Sequence, residues 1–247
     1  MNDTLVDDVV VRLVDRLIAA QWRENERIPT ERRLTEEFGV SRATLRSAID
    51  RLSGWNMLVS RQGSGTVAVP RSHWRVGVFP YLVSSLIRSE KWDELVPLLV
   101  DALGMRRGLV MDFIMRAAPR TKGKKLNTAR AACDAAWELR HSAQRFLPAD
   151  DRYHTSILEE AGLAATHMLI NEIEVTYEHV ITLFAGDFVV PENYLAVHYE
   201  ILDALEVGDG ERARQGFQDY YTALDPSLVT ALPSGLAQAV LRALSEP

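Results

Sequence analysis

A chain of 247 residues is long enough for a small domain and a larger one with its own core. Its 28 basic against 34 acidic residues leave a formal charge of -6, which excludes a protein that coats nucleic acid through a global positive field, so any phosphate contact must come from a local cluster. The single cysteine, Cys133, excludes an intramolecular disulfide and a zinc ribbon, no apolar run approaches the ~18 residues of a membrane span, and the polar, acidic start is unlike a secretory signal; a soluble, cytoplasmic chain with no membrane partner is expected.

Residues 28–69 read as two short helices and a glycine-tipped hairpin, the pattern of a winged helix-turn-helix. Thr30 after Pro29 is placed to cap the first helix, with Glu31 at its positive end and Leu34 and Phe38 on its inner face. Gly39 supplies the positive φ of the turn, and Ser41 caps a second helix running to about Leu52. There Leu45, Ala48, Ile49 and Leu52 recur at helical spacing and face a core, leaving Arg42, Thr44, Arg46 and Asp50 outward. Arginine offers a planar fork to guanine edges or phosphate, and the hydroxyls of Ser41 and Thr44 suit phosphate or base edges, so this helix is the candidate reader of a major groove. Strands at 58–61 and 66–69 flank Gln62-Gly63-Ser64-Gly65, whose glycines permit a tight turn close to a narrow groove. The plain alternative for the second helix alone is a solvated, arginine-rich face. The ordered set of cap, turn glycine, arginines and wing argues against it.

The pieces Pro29-Thr30-Glu31-Arg32, Val40-Ser41-Arg42 and Gly63-Ser64-Gly65-Thr66 resemble the N-terminal signature of the GntR family of bacterial transcription regulators, over roughly the first 70 residues. The resemblance implies double-stranded DNA as a partner and contacts from Arg32, Ser41, Arg42, Thr44, Arg46, Gln62 and Gly63. Asn25 and Asn56 stand where the family has glycines; asparagine tolerates the left-handed backbone, so both turns are expected to survive.

Pro70 and then Phe79-Pro80-Tyr81 mark 71–92 as a linker with a short connecting helix. Beyond it, apolar residues three and four apart, such as Leu95, Leu98, Leu99, Ala102 and Leu103, repeat without a competing strand pattern. Breaks at 119–125, 147–148, 186–191, 208–210 and 225–226 divide the remainder into about six helices with short connections. Lys122, Lys124 and Lys125 read as a solvated loop. The expected architecture is an N-terminal α+β winged helix-turn-helix (1–70), the linker, and an all-α antiparallel helical bundle (93–247) for effector binding and dimerisation.

Within the bundle, Asp150 and His154 are four apart after Pro148 and project from one helical face. His198 lies on a later helix, and the turn at 208–210 brings Tyr220 back to similar height, so four side chains can converge; the plain reading is a helix cap and two core histidines. Asp150-Asp151-Arg152-Tyr153-His154, and the run from His198 to Leu205 closing on Gly208-Asp209, resemble the FadR-like ligand-binding domain of the same family, over roughly residues 85–223. That resemblance implies one divalent metal, zinc or similar, on Asp150, His154 and His198. Tyr220 occupies the place of the family's last histidine, and a phenol with a pKa near ~10 is a poor zinc ligand at neutral pH, which leaves three protein ligands and water.

Arg106 or Arg107, on an otherwise apolar helix, and Tyr220 are the candidate effector contacts, because a bundle arginine pairs bidentately with carboxylate or phosphate; an end-of-helix salt bridge is the alternative. Two effector classes compete: a small carboxylate linked to the metal, or an acyl-CoA in a long apolar tunnel, as in fatty-acid regulators of the family. The expected whole is a ligand-responsive homodimeric repressor reading an inverted-repeat operator. The rival from another class, a metal-dependent enzyme, has no general base placed by motif, so no enzyme is expected.

Overall fold

The computed structural model describes residues 2–61, 65–182, 189–230, 232 and 234–245, and it divides into two compact units, Met1–Lys91 and Trp92–Pro247. The first unit opens with helix α1 (Asn2–Ile18), whose Val6, Val9, Val10, Leu13, Val14 and Leu17 recur at helical spacing and are all buried. Helices α2 (Glu31–Phe38) and α3 (Arg42–Gly54) follow, and α1 packs along α3, with an ion pair between Asp7 and Arg51 fixing the two. The local signals act as read from the sequence. Thr30 Oγ1 accepts from the Arg33 amide at 3.4 Å, Gly39 takes φ +68°, and Ser41 Oγ accepts from the Thr44 amide at 3.0 Å.

Strands β1 (Leu58–Arg61) and β2 (Gly65–Ala68) pair antiparallel, with Leu58 opposite Ala68 and Arg61 opposite Gly65. The segment before α2 adds to this hairpin through an Arg27–Val67 bridge, Ile28 donating to the Thr66 carbonyl at 3.0 Å. Asn25 and Asn56 both adopt left-handed backbone, at φ +64° and +58°, so asparagine does fill the two glycine turns. Asn56 also donates from Nδ2 to the His73 carbonyl at 2.8 Å, a bond glycine could not make.

The segment 71–92, expected as a linker with a short connecting helix, contains such a helix and is packed for most of its length. Two 3-10 turns (Arg71–His73 and Val76–Val78) lead into α4 (Phe79–Arg88), which lies on α1 with Val83 and Leu86 buried and Arg88 paired to Asp15 at 2.6 Å. Gly77 makes this close approach feasible, because a β-carbon there would come within 2.5 Å of Trp55 Nε1.

The second unit is all helical: α5 (Trp92–Thr121), α6 (Asn127–Glu138), α7 (Ala143–Glu160), α8 (Ala164–Thr182), α9 (Tyr194–Val207), α10 (Gly210–Thr230) and α11 (Ser234–Ser245). Seven helices among the described residues stand against about six expected: two prolines do not break the chain, while breaks that the sequence reading did not place fall elsewhere. Pro148 and Pro226 lie inside α7 and α10, where buried Phe146, Leu147, Tyr153 and Ile157 before and after Pro148, and Tyr221, Leu224 and Val229 around Pro226, hold the helices against the ~3 kcal/mol cost of proline. The actual breaks fall at 139–142 and at Gly162, whose φ is +68°. Of the break expected at 186–191, residues 186–188 lie outside the described residues.

The core joins Phe113, Ile114 and Ala117 of α5 to Ala129, Cys133 and Ala136 of α6, Tyr153 and Ile157 of α7, Ile201 and Leu205 of α9, and Phe217 of α10. Lysines 124 and 125 are tied to this bundle, donating to the Glu160 carbonyl at 2.9 Å and to Glu206 at 2.8 Å. Cys133 is fully enclosed on α6, and burial pushes its thiol up to about 12. A water-soluble thiol reagent is therefore expected to leave the native protein unlabelled and to titrate one thiol per chain once urea unfolds it. Rapid labelling of the native form would contradict this packing.

Candidate functional sites

In the first unit, Ser41, Arg42, Ala43, Arg46, Ser47 and Asp50 are all exposed and share one face of α3, opposite the buried Leu45, Ala48, Ile49 and Leu52. Ala43 and Ser47 belong to no motif piece in the sequence, although their i, i+4 spacing places them beside Arg42 and Arg46. Thr44 is half-buried, and its hydroxyl lies 2.8 Å from Ser41 Oγ, so it belongs first to the helix cap. Arg46 Nε pairs with Glu31 at 3.2 Å and Arg32 with Glu36 at 3.5 Å. Both pairs are solvent-exposed and worth ~0–1 kcal/mol, so a phosphate or base edge can displace them. Gln62 and Gly63 lie outside the described residues; Gly65, beside them, holds φ +74° at the start of β2.

In the second unit, Asp150, His154, His198 and Tyr220 are all buried, as helices meeting in the bundle interior require. Tyr194 donates from its hydroxyl to Asp150 Oδ1 at 2.7 Å, and Asp150 Oδ2 stands 4.0 Å from His154 Nδ1. His198 Nδ1 lies 2.7 Å from the Tyr194 carbonyl. A carbonyl only accepts, so Nδ1 carries the hydrogen and Nε2 is left as a buried acceptor with no hydrogen-bond partner. The Tyr220 hydroxyl is equally unpartnered, its ring 4.5 Å from that of His198. Burial holds His198 down to about 4 against the pull of Asp150, and holds His154 down to about 3 with the Arg106 charge assisting, so both imidazoles are neutral at pH 7.

Asp150, His154 and His198, the ligands that the resemblance implies for a metal, cluster in the bundle interior with Tyr220 beside them. The Tyr194 hydroxyl occupies one Asp150 oxygen, and among the described residues, in this arrangement, the donor atoms of Asp150, His154 and His198 do not all come within 4.8 Å of one another. The group that does is Asp151, His154 and Glu174, whose donor atoms all lie within 4.8 Å of one another. Asp151 is the neighbour of Asp150, but Glu174 sits on α8, where neither motif nor spacing singles it out.

The same three residues line a cavity of about 40 Å³ with Arg106, Phe113, Ile170 and Tyr221. The Arg106 guanidinium lies over the Tyr221 ring, 4.8 Å from its centroid, and its Nη1 is buried without a hydrogen-bond partner. Burial opposes its charge, but Tyr221, Asp225, Asp150 and Asp151 outweigh that and raise it further. Arg107, the other candidate, is turned to α10, where it pairs with the buried Asp225 at 2.5 Å and donates to the Tyr221 carbonyl at 3.4 Å. Of the three expected effector contacts, Arg106 therefore lines the cavity, Arg107 braces a helix pair and Tyr220 belongs to the His198 cluster.

Residues 5–67 match the family model described as bacterial regulatory proteins, gntR family, and residues 101–223 match the FCD domain. The HTH-type transcriptional regulator YieP of Escherichia coli (strain K12) is 26% identical over 211 residues, covering 84% of this chain and 88% of its own length. Mce2R of Mycobacterium tuberculosis, also an HTH-type transcriptional regulator, is 23% identical over 235 residues, covering 92% and 93%. Among solved structures the fold is similar to that of Lar, described as controlling expression of the Listeria monocytogenes agr system, with a TM-score of 0.58 at 18% identity over 91% of this chain and 96% of that one. With a winged helix in the first unit and a helical bundle in the second, each matching its own model, the chain belongs to the GntR family of bacterial DNA-binding transcription regulators and carries an FCD effector-binding domain.

Proposed function

We propose that this regulator is a cytoplasmic, non-enzymatic repressor that binds an inverted-repeat operator as a homodimer and is released by a small carboxylate in the bundle. The observation that carries the DNA half is the exposed face of α3, with Arg42 and Arg46 one turn apart, opposite four buried apolar side chains. Two such faces related by a two-fold axis suit successive major grooves, with Arg32 and Ser41 on flanking phosphate and Gln62 and Gly63 near the minor groove. For the ligand half, a cavity of about 40 Å³ with a buried arginine suits a small anion. It gives no support to an acyl chain, which needs a long apolar tunnel. No helix of the described residues is long and apolar enough to cross a membrane. The ligand acts only through its differential affinity for the DNA-binding and released arrangements.

Selection of bound fragments from genomic DNA, followed by footprinting, tests this reading. Two protected half-sites about one helical turn apart are expected, and the adjoining genes then identify candidate carboxylates. Protection of a single asymmetric site by one chain would overturn the dimeric reading.

A further inference from the structure

We propose that Ala43, in the first turn of α3, is a specificity-determining residue: its methyl group packs on the C5-methyl of an operator thymine, close to a guanine contacted by Arg42. The inference rests on the reading of α3 as the element that meets DNA, and it adds the base that the alanine selects. Among the described residues of α3, Ala43 is the one exposed apolar side chain. Leu45, Ala48, Ile49 and Leu52 are buried, and Thr44 is half-buried.

The position suits a base contact. Ala43 is the second residue of α3, and the N-terminal residues of the second helix are the ones that approach base edges in a helix-turn-helix. Ala43 and Ser47 lie one turn apart and form a row of small side chains beside the row of Arg42 and Arg46. Small side chains let the helix backbone come close to the groove floor, while the arginines reach past them. The nearest hydroxyls are engaged elsewhere, since Ser41 Oγ lies 2.8 Å from Thr44 Oγ1 and accepts from the Thr44 amide at 3.0 Å. Arg46 is paired with Glu31 at 3.2 Å. A methyl group is therefore what this turn presents between the arginines. In the major groove only thymine presents a methyl group in return. An adenine, guanine or cytosine edge placed against Ala43 would lose its water without gaining a partner, whereas thymine gives up only apolar hydration. Consecutive α-carbons are ~3.8 Å apart and bases along one strand ~3.4 Å, so the thymine falls within about two base pairs of the guanine that Arg42 contacts.

The test uses the full chain and the duplexes that it selects from a random library. Each thymine in turn is replaced by deoxyuridine, which removes the C5-methyl and leaves every hydrogen-bonding group in place. One thymine per half-site is expected whose replacement weakens the wild type about three- to fivefold, the worth of about one dehydrated methyl group. Ala43→Gly should bind the thymine and deoxyuridine duplexes equally. Each protein is compared with itself on two DNAs, so the cost of glycine to the helix cancels. Ser47→Ala, whatever its own affinity, should keep the wild-type difference. In parallel, each guanine is replaced by 7-deazaguanine, which lacks the N7 acceptor, and the loss is compared between wild type and Arg42→Ala. Selected half-sites without a thymine, or a deoxyuridine penalty equal in wild type and Ala43→Gly, would overturn the role of Ala43. A 7-deazaguanine penalty that disappears in Arg42→Ala would then leave α3 standing as the reading element, whereas no penalty at any guanine would remove that reading too.

Discussion

Replacing Glu206 by alanine is expected to cost the second unit about 3 kcal/mol, because it removes a buried carboxylate on which a backbone amide and two cationic side chains converge. This carboxylate at the end of α9 has a side chain only 7% exposed and fixes the connection from α5 to α6. Its Oε1 accepts from the Leu126 amide at 3.0 Å and from Arg130 Nη2 at 3.1 Å, its Oε2 from Lys125 at 2.8 Å, and its own carbonyl from the Gly123 amide at 2.8 Å. Burial works to raise its pKa, but Lys125, the Leu126 amide and Arg130 together hold it down to about 2 from an ordinary 4.5. A carboxylate depressed in the folded state contributes fully above its unfolded pKa and loses that contribution as pH falls through its folded one. The advantage of wild type over Glu206→Gln should therefore be constant above about pH 5 and shrink by about 3 kcal/mol as pH falls from 4.5 towards 2. Urea unfolding across that pH range measures it, and an advantage independent of pH would show that shape and packing, not charge, hold the loop.

How much of the molecule is legible in sequence depends on whether a residue acts on its neighbours in the chain or on distant elements. The winged helix is readable because its determinants are local. Thr30 and Ser41 cap helices that begin one residue later, Gly39 turns the chain where it stands, and the buried face of α3 is a spacing rule. The same locality makes Asn25 and Asn56 readable as left-handed turns. The bundle is readable only in outline. Pro148 and Pro226 carry a local signal for a break that packing against distant helices overrides, and the true break at Gly162 lies between α7 and α8. Helix α1, with six buried positions at helical spacing, carries a clear local signal that the winged-helix motif itself does not include. For the ligand pocket, the pair Asp150 and His154 is visible as i, i+4, but Tyr194 and Glu174 are 44 and 20 residues away on other helices, and only the folded bundle brings them to this pair. The resemblance to the FadR-like domain supplies a ligand pattern, and Tyr220 marks the place where this chain leaves it.

Arg42→Ala and Arg46→Ala should each weaken operator binding by ~1–3 kcal/mol, or roughly 5- to 150-fold, while leaving the fold intact. The first half follows from their proposed place in a groove, and the second from their exposure on α3, away from its apolar face. The two need not weaken binding in the same way. Arg46 is held by Glu31 at 3.2 Å in the free protein, so its DNA contact replaces an existing ion pair, and Glu31→Gln should tighten binding to any sequence by a few tenths of a kcal/mol. Titration of operator and scrambled DNA at several salt concentrations separates the roles. Removing a side chain that touches a base relaxes sequence preference, whereas removing one that touches a phosphate weakens both DNAs alike and lowers the salt slope by about one. Wild-type affinity in both arginine variants would remove α3 as the element that reads DNA and leave the wing and α2 as the surfaces to search.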